Sequence, residues 1–133
     1  MADTVTSQTI QDGEKTAILK FTNESDGSGE ASVKKVDVSA LANNSAGDGC
    51  SSVSISRIYW ACRGMGVDIE FAASTNVLAI PLPADSTVDE YYDLFTGIPN
   101  NAGSGVTGDI DFTTVGHSNG DAYSIILVLN KNY

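Results

Sequence analysis

The stretch GHSNGDAYSIILVLN, residues 116–130, decides how the rest of the chain is read. It holds the only histidine, places a serine and an aspartate close by, and then runs into the most apolar segment of the sequence. A catalytic cluster and a turn between strands compete for it. A serine nucleophile needs a base held by hydrogen bonds in a sheltered pocket, and no G-x-S-x-G elbow occurs in the chain. Asn119-Gly120, by contrast, is the dipeptide best suited to the paired positive φ of a tight hairpin turn. The stretch therefore predicts a hairpin with His117 and Asp121 at or near its tip, rather than a triad of Ser118, His117 and Asp121. Beyond the turn, Tyr123, Ile125, Leu127 and Leu129 share one face, and Ile126 and Val128 make the other face apolar as well. Such a strand belongs in the centre of a layered core, or against a partner.

Working outward, the same period of two recurs along the chain, and no apolar spacing of helical type persists beyond about a turn. Thr16–Asn23 alternates Ala17, Leu19 and Phe21 against Lys20 and Thr22. Before it, Thr4–Ile10 reads as an arm or an edge strand. The glycines and short polar residues of NESDGSGE, Asn23–Glu30, predict a hairpin to a returning strand at Ala31–Val38. That strand changes phase at Lys34-Lys35, and Ser52–Cys62 changes phase at Arg57; a one-residue bulge in each would restore a single buried face. Val67–Ala72 points Val67, Ile69 and Phe71 inward and Asp68 and Glu70 outward. Val77–Leu82 and Asp109–Thr114 follow as strands, the latter with Ile110 and Phe112 inward. ADSTVDEYYDLF allows two readings: a short helix near residues 86–95 capped by Ser86, or a strand over Tyr91–Phe95. Ala40–Ser51 and Gly97–Gly108 read as surface loops. The sum is an all-β antiparallel sandwich or jelly roll of roughly seven to nine short strands in one domain spanning residues 1–133, with 1–12 as the arm or edge strand.

Composition agrees with a folded chain: hydrophobic residues make up 41% and charged residues 18%, with 13 glycines against 3 prolines. At 133 residues a single core would bury roughly two-thirds of the unfolded surface. Seventeen acidic residues against 7 basic ones, a net charge of -10, repel nucleic-acid phosphates. Residues 1–15 show neither a basic start nor an apolar core, so no secretory signal is expected and the chain is expected to be made in a cytosol. The longest purely apolar run, Ile125–Leu129, is far short of the ~20 residues of a membrane-spanning helix. Cys50 and Cys62 are therefore expected to stay reduced, with Cys62 buried.

No chemical constellation stands out. Gly27 and Gly29 occupy places where a calcium loop in Asn23–Glu30 would need ligands, and Cys50, Cys62 and His117 lack zinc-site spacing. Asp89 with Glu90, or Asp109 with Asp111, would serve as paired carboxylates, but nothing selects one pair on so acidic a chain. Trp60 shares parity with Ile58 and Cys62 and is expected in the core, while Tyr91 and Tyr92 are expected to split between inside and outside. The sequence thus predicts no enzyme, no catalytic or metal-binding residue and no cofactor.

TVTSQTIQDGEKTAILKFTNESDGSGEASVKKVDVS (residues 4–39), GSGVTGDIDFTTVGHSNGDAYSIILVLNKN (residues 103–132) and ISRIYWACRGMGVDIEF (residues 55–71) together resemble a family of small structural virion proteins from tailed bacteriophages. The resemblance implies a capsid decoration or cement protein: it would bind the outer surface of the major capsid protein shell and stabilise the head. It further implies a homo-oligomer, a trimer in preference to other rings, located on the virion after synthesis in a bacterial cytoplasm. Neither nucleic acid nor membrane is an expected partner. The alternatives are a neck, tail or fibre-associated module and a carbohydrate-binding sandwich for host attachment. The amino-terminal arm, the Ala40–Ser51 loop and the Tyr91-Tyr92 region are the expected contact surfaces.

Overall fold

A computed structural model describes residues 3–91 and 97–133 of the chain. Nine strands form: β1 (Thr4–Asp12), β2 (Thr16–Glu24), β3 (Val33–Val36), β4 (Ser52–Arg63), β5 (Gly66–Phe71), β6 (Val77–Leu82), β7 (Thr87–Tyr91), β8 (Ile110–Val115) and β9 (Ala122–Asn132). A single 3-10 turn, Val38–Ala40, is the one helical element among the described residues. The strands pair antiparallel in two sheets, ordered β1-β2-β9-β4-β7 and β3-β8-β5-β6. Pairing is nested: β2 with β9 and β4 with β7 in the larger sheet, β3 with β8 and β5 with β6 in the smaller. This is jelly-roll connectivity, with β1 added as an extra edge strand.

Alternation along each strand builds the core. Tyr123, Ile125, Leu127 and Leu129 of β9 face Val67, Ile69 and Phe71 of β5 and Ile110 and Phe112 of β8 across the interior, all of them buried. Phe112 meets Phe21 and Tyr123 edge-on, at ring-centre distances of 5.3 and 5.9 Å, the geometry that aromatic quadrupoles favour. Trp60 is core as expected, its indole Nε1 donating to Ser86 Oγ at 2.9 Å. Both expected bulges are present, between Lys34 and Val36 and between Ile55 and Arg57. Pro81 lies within β6, an edge strand, where its missing N–H costs no ladder bond.

Three expectations are corrected. Asn23–Glu30 does not close a hairpin, because β2 and β3 lie in different sheets; the segment arches across the end of the sandwich, and the returning strand shrinks to Val33–Val36. Residues 116–121 likewise cross from β8 in one sheet to β9 in the other. Asp121 N donates to Ser118 O at 3.1 Å, and of the two central residues of that turn, Asn119 and Gly120, only Gly120 (φ 92°) takes a positive φ, so Asn119 does not supply the paired conformation a hairpin would need. Thr87–Tyr91 is a strand paired with β4 rather than the start of a helix over 86–95. Ser86, read as a helix cap, instead takes the Trp60 bond and donates to Pro83 O. The Tyr92–Phe95 part of that expectation lies outside the described residues.

β1 is an edge strand rather than a loose arm, with residues Thr4–Gln11 exposed on both faces. No helix among the described residues is long and apolar enough to cross a membrane.

Candidate functional site

The opening cluster does not assemble. His117 Nδ1 pairs with Thr114 Oγ1 at 3.1 Å, while Asp121 Oδ2 accepts from the Ser118 backbone N–H at 2.8 Å. The imidazole is half-buried rather than solvated at a tip. It lies against the backbone of Gly29 so closely that a Cβ there would fall 2.3 Å from the ring. The paired carboxylates are likewise engaged in the fold. Asp109 is buried, accepts from Val38 N–H at 2.9 Å and pairs with Lys34, and Asp111 takes Asn76 Nδ2 at 2.9 Å. Asp89 receives a two-pronged grip from Arg57 at 2.8 and 2.7 Å, which holds its carboxyl below the ordinary range. Cys50 and Cys62 are both free and buried, and burial pushes the Cys62 thiol up to about 11. Among the described residues no group of three or more acidic, histidine or cysteine side chains is placed to hold a metal ion.

Of the expected contact surfaces, the Ala40–Ser51 loop is tethered rather than free. Asp12 accepts from Ala42 N–H at 2.8 Å, Glu14 accepts from Ser45 N–H at 2.9 Å, and the buried Lys131 ammonium reaches Asp12, Gly13 O and Ala42 O. The Tyr92 half of the tyrosine pair lies outside the described residues.

Two features emerge that the sequence reading did not isolate. The first is an apolar groove on the outer face of the five-stranded sheet. Ile126 and Val128 form its floor, Ile18 of β2 and Tyr59 and Arg57 of β4 its walls, and Ile10 closes it from the register shift of β1; the volume is about 270 Å³. Ile10 is 55% exposed and Tyr59 41%, although an outward sheet face is ordinarily polar. The outward parity of Ile126 and Val128 was the signal for it. Its extension onto Ile10 was not readable, because it depends on an irregularity in β1 pairing.

The second is a buried polar cluster where the Asn23–Glu30 arch closes the sandwich. Glu30 is fixed through its backbone, which exchanges hydrogen bonds with Thr114 of β8. One carboxylate oxygen accepts from Tyr123 OH at 2.6 Å and from Asn23 Nδ2 at 2.8 Å; the other pairs with Lys35 Nζ at 2.5 Å. The Lys35 and Glu30 side chains are only 5% and 6% exposed. Lys35 is the extra residue of the β3 bulge, and the bulge turns it inward. Burial first, and then the bond to Glu30, raises the Tyr123 phenol above its ordinary value. Asp3 completes the rim, accepting from Asn23 Nδ2, Asp26 N–H and Gly29 N–H.

Compared with known proteins, the chain matches no protein-family profile, no curated protein and no solved structure.

Proposed function

We propose that this chain is a non-enzymatic structural protein of a bacteriophage virion, a decoration or cement protein that seats its five-stranded sheet on the major capsid protein shell. The observation that carries the adhesive part is the groove of Ile10, Ile18, Tyr59, Ile126 and Val128, apolar where solvent would favour polar side chains. The virion part is supported by the resemblance of residues 4–39, 55–71 and 103–132, and jelly rolls are common in viral coat domains. Small contacts repeated by symmetry over a shell gain avidity that one interface lacks. A ring of copies, a trimer first, is the form such a role favours.

Mixing the purified protein with purified heads and sedimenting them tests this. The wild type should co-sediment, whereas Tyr59→Asp and Ile10→Asp, each at a half-exposed site, should keep a normal melting curve and stay in the supernatant. Unimpaired co-sedimentation of both variants would remove the groove from the interface. Antibody labelling that marks one vertex rather than the whole head would move the assignment to a neck or tail part. The carbohydrate reading is disfavoured by Trp60, which is turned inward and hydrogen-bonded to Ser86 rather than offered to a sugar.

A further inference from the structure

The buried cluster contains the parts of an amide-forming reaction. A primary amine (Lys35), a carboxamide (Asn23) and a carboxylate (Glu30) are packed together, the amine on one carboxylate oxygen and the amide on the other, at 2.5 and 2.8 Å. Asn23 is 2% exposed and both partners are almost fully enclosed. Asn23 sits on β2 of the larger sheet and Lys35 on β3 of the smaller. The bulge at Lys34–Val36 delivers the Lys35 ammonium into the interior against Glu30.

The geometry points to a self-catalysed isopeptide bond between Lys35 Nζ and Asn23 Cγ, promoted by Glu30. Isolating an ion pair from water is costly, and passing a proton from one partner to the other relieves that cost. Transfer from the Lys35 ammonium to Glu30 leaves a neutral amine with a free electron pair and a carboxylic acid beside the amide. The amine pair attacks Asn23 Cγ, the C–N bond forms, and the carbonyl pair moves onto Oδ1. Among the described residues Oδ1 has no hydrogen-bond partner in the resting arrangement, while Nδ2, the leaving nitrogen, already lies 2.8 Å from the Glu30 carboxyl. Collapse of the tetrahedral centre breaks the Cγ–Nδ2 bond. The departing nitrogen takes up the proton released by Lys35 together with the one held on Glu30. In balance, one ammonium side chain and one carboxamide become one secondary amide and one ammonium ion, and Glu30 returns to a carboxylate. Tyr123, donating to Glu30 at 2.6 Å, is a positioning residue that holds the carboxyl in place. Positioned groups in a dry site gain the most from such prearrangement.

The product would tie the two sheets together covalently at the arch. Intact mass spectrometry of the purified chain reads it directly: the wild type should be lighter than its sequence by one ammonia. Lys35→Ala, Asn23→Ala and Glu30→Ala should each retain the full sequence mass. Asn23→Asp should lose water instead, since a carboxylic acid then replaces the amide. Cyclisation at another asparagine also releases ammonia, so the location is fixed by trypsin digestion. The bond would block cleavage after Lys35 and yield a branched species joining Phe21–Lys34 to Lys35–Arg57. Finding Val36–Arg57 released as a linear peptide, separate from the one that starts at Phe21, would overturn the inference whatever the total mass.

Discussion

Leu127 and Ile126 are neighbours on one strand, so replacing each with alanine asks whether the two faces of β9 differ as the two-layer arrangement requires. Leu127 is fully enclosed between the sheets, at 0% exposure, and Leu127→Ala removes buried methyl groups and leaves a cavity at a cost of about 2–5 kcal/mol. Ile126 floors the open groove and is only partly covered. Full burial of an isoleucine is worth about 1.5–3 kcal/mol; with part of that surface already in solvent and no cavity to leave behind, Ile126→Ala should cost about 1 kcal/mol. Urea unfolding of a small protein has a slope of about 1–3 kcal/mol per molar. The Leu127→Ala midpoint should therefore fall by about 1–2 M and the Ile126→Ala midpoint by about 0.5 M, read by tryptophan fluorescence from Trp60. Dilution over a wide protein concentration checks that self-association does not shelter Ile126. Equal shifts, or a larger one for Ile126, would refute the assignment of inward and outward faces on which the core and the groove both depend.

Two further outcomes follow from the arch and the core. Gly29→Ala forces a side chain onto a φ of +72° and into the His117 ring, and should destabilise by about 2 kcal/mol or more; adding His117→Ala should recover the steric part and leave the backbone part, a non-additivity that a double-mutant cycle in urea measures. The Cys62 thiol, raised from 9.0 to about 11 by burial, keeps its proton in the folded chain after the unfolded chain has lost it. Stability should accordingly decline from about pH 9 upward, and at pH 8 a thiol reagent should label Cys62 far more slowly before unfolding than after it.

The inward and outward faces of the strands were legible because a half-buried strand must alternate. The parities of Phe21, Trp60, Ile69, Phe112 and Leu127 all survive in the structure. Phase slips disclosed the bulges for the same reason. Strand pairing was not legible. SNGD and NESDGSG carry the residues of any tight reversal, and nothing local distinguishes a reversal within one sheet from a crossing to the other. The crossing is chosen by which long-range partner pairs along each strand's edge, β9 beside β2 and β8 beside β3. The polar cluster escaped for a related reason. Lys34-Lys35 reads only as the point where the strand changes phase, yet the slip there sends one side chain outward and the other inward, and the acid partner Glu30 reads as a turn residue. Where alternation breaks at consecutive charges, one of them belongs inside.

Nested pairing also sets an order of assembly. β2 hydrogen-bonds along its whole length to β9, Thr16 opposite Asn130 and Glu24 opposite Ala122, so a strand made early on the ribosome waits for one made much later. Until β9 emerges, the inward edges of β2 and β4 have no common neighbour. Among the described residues the innermost β5–β6 hairpin is the only local pair beyond β1–β2. Folds dominated by such distant contacts form slowly, in about milliseconds to seconds, and in that interval β2 and β4 remain open to pairing with other nascent chains.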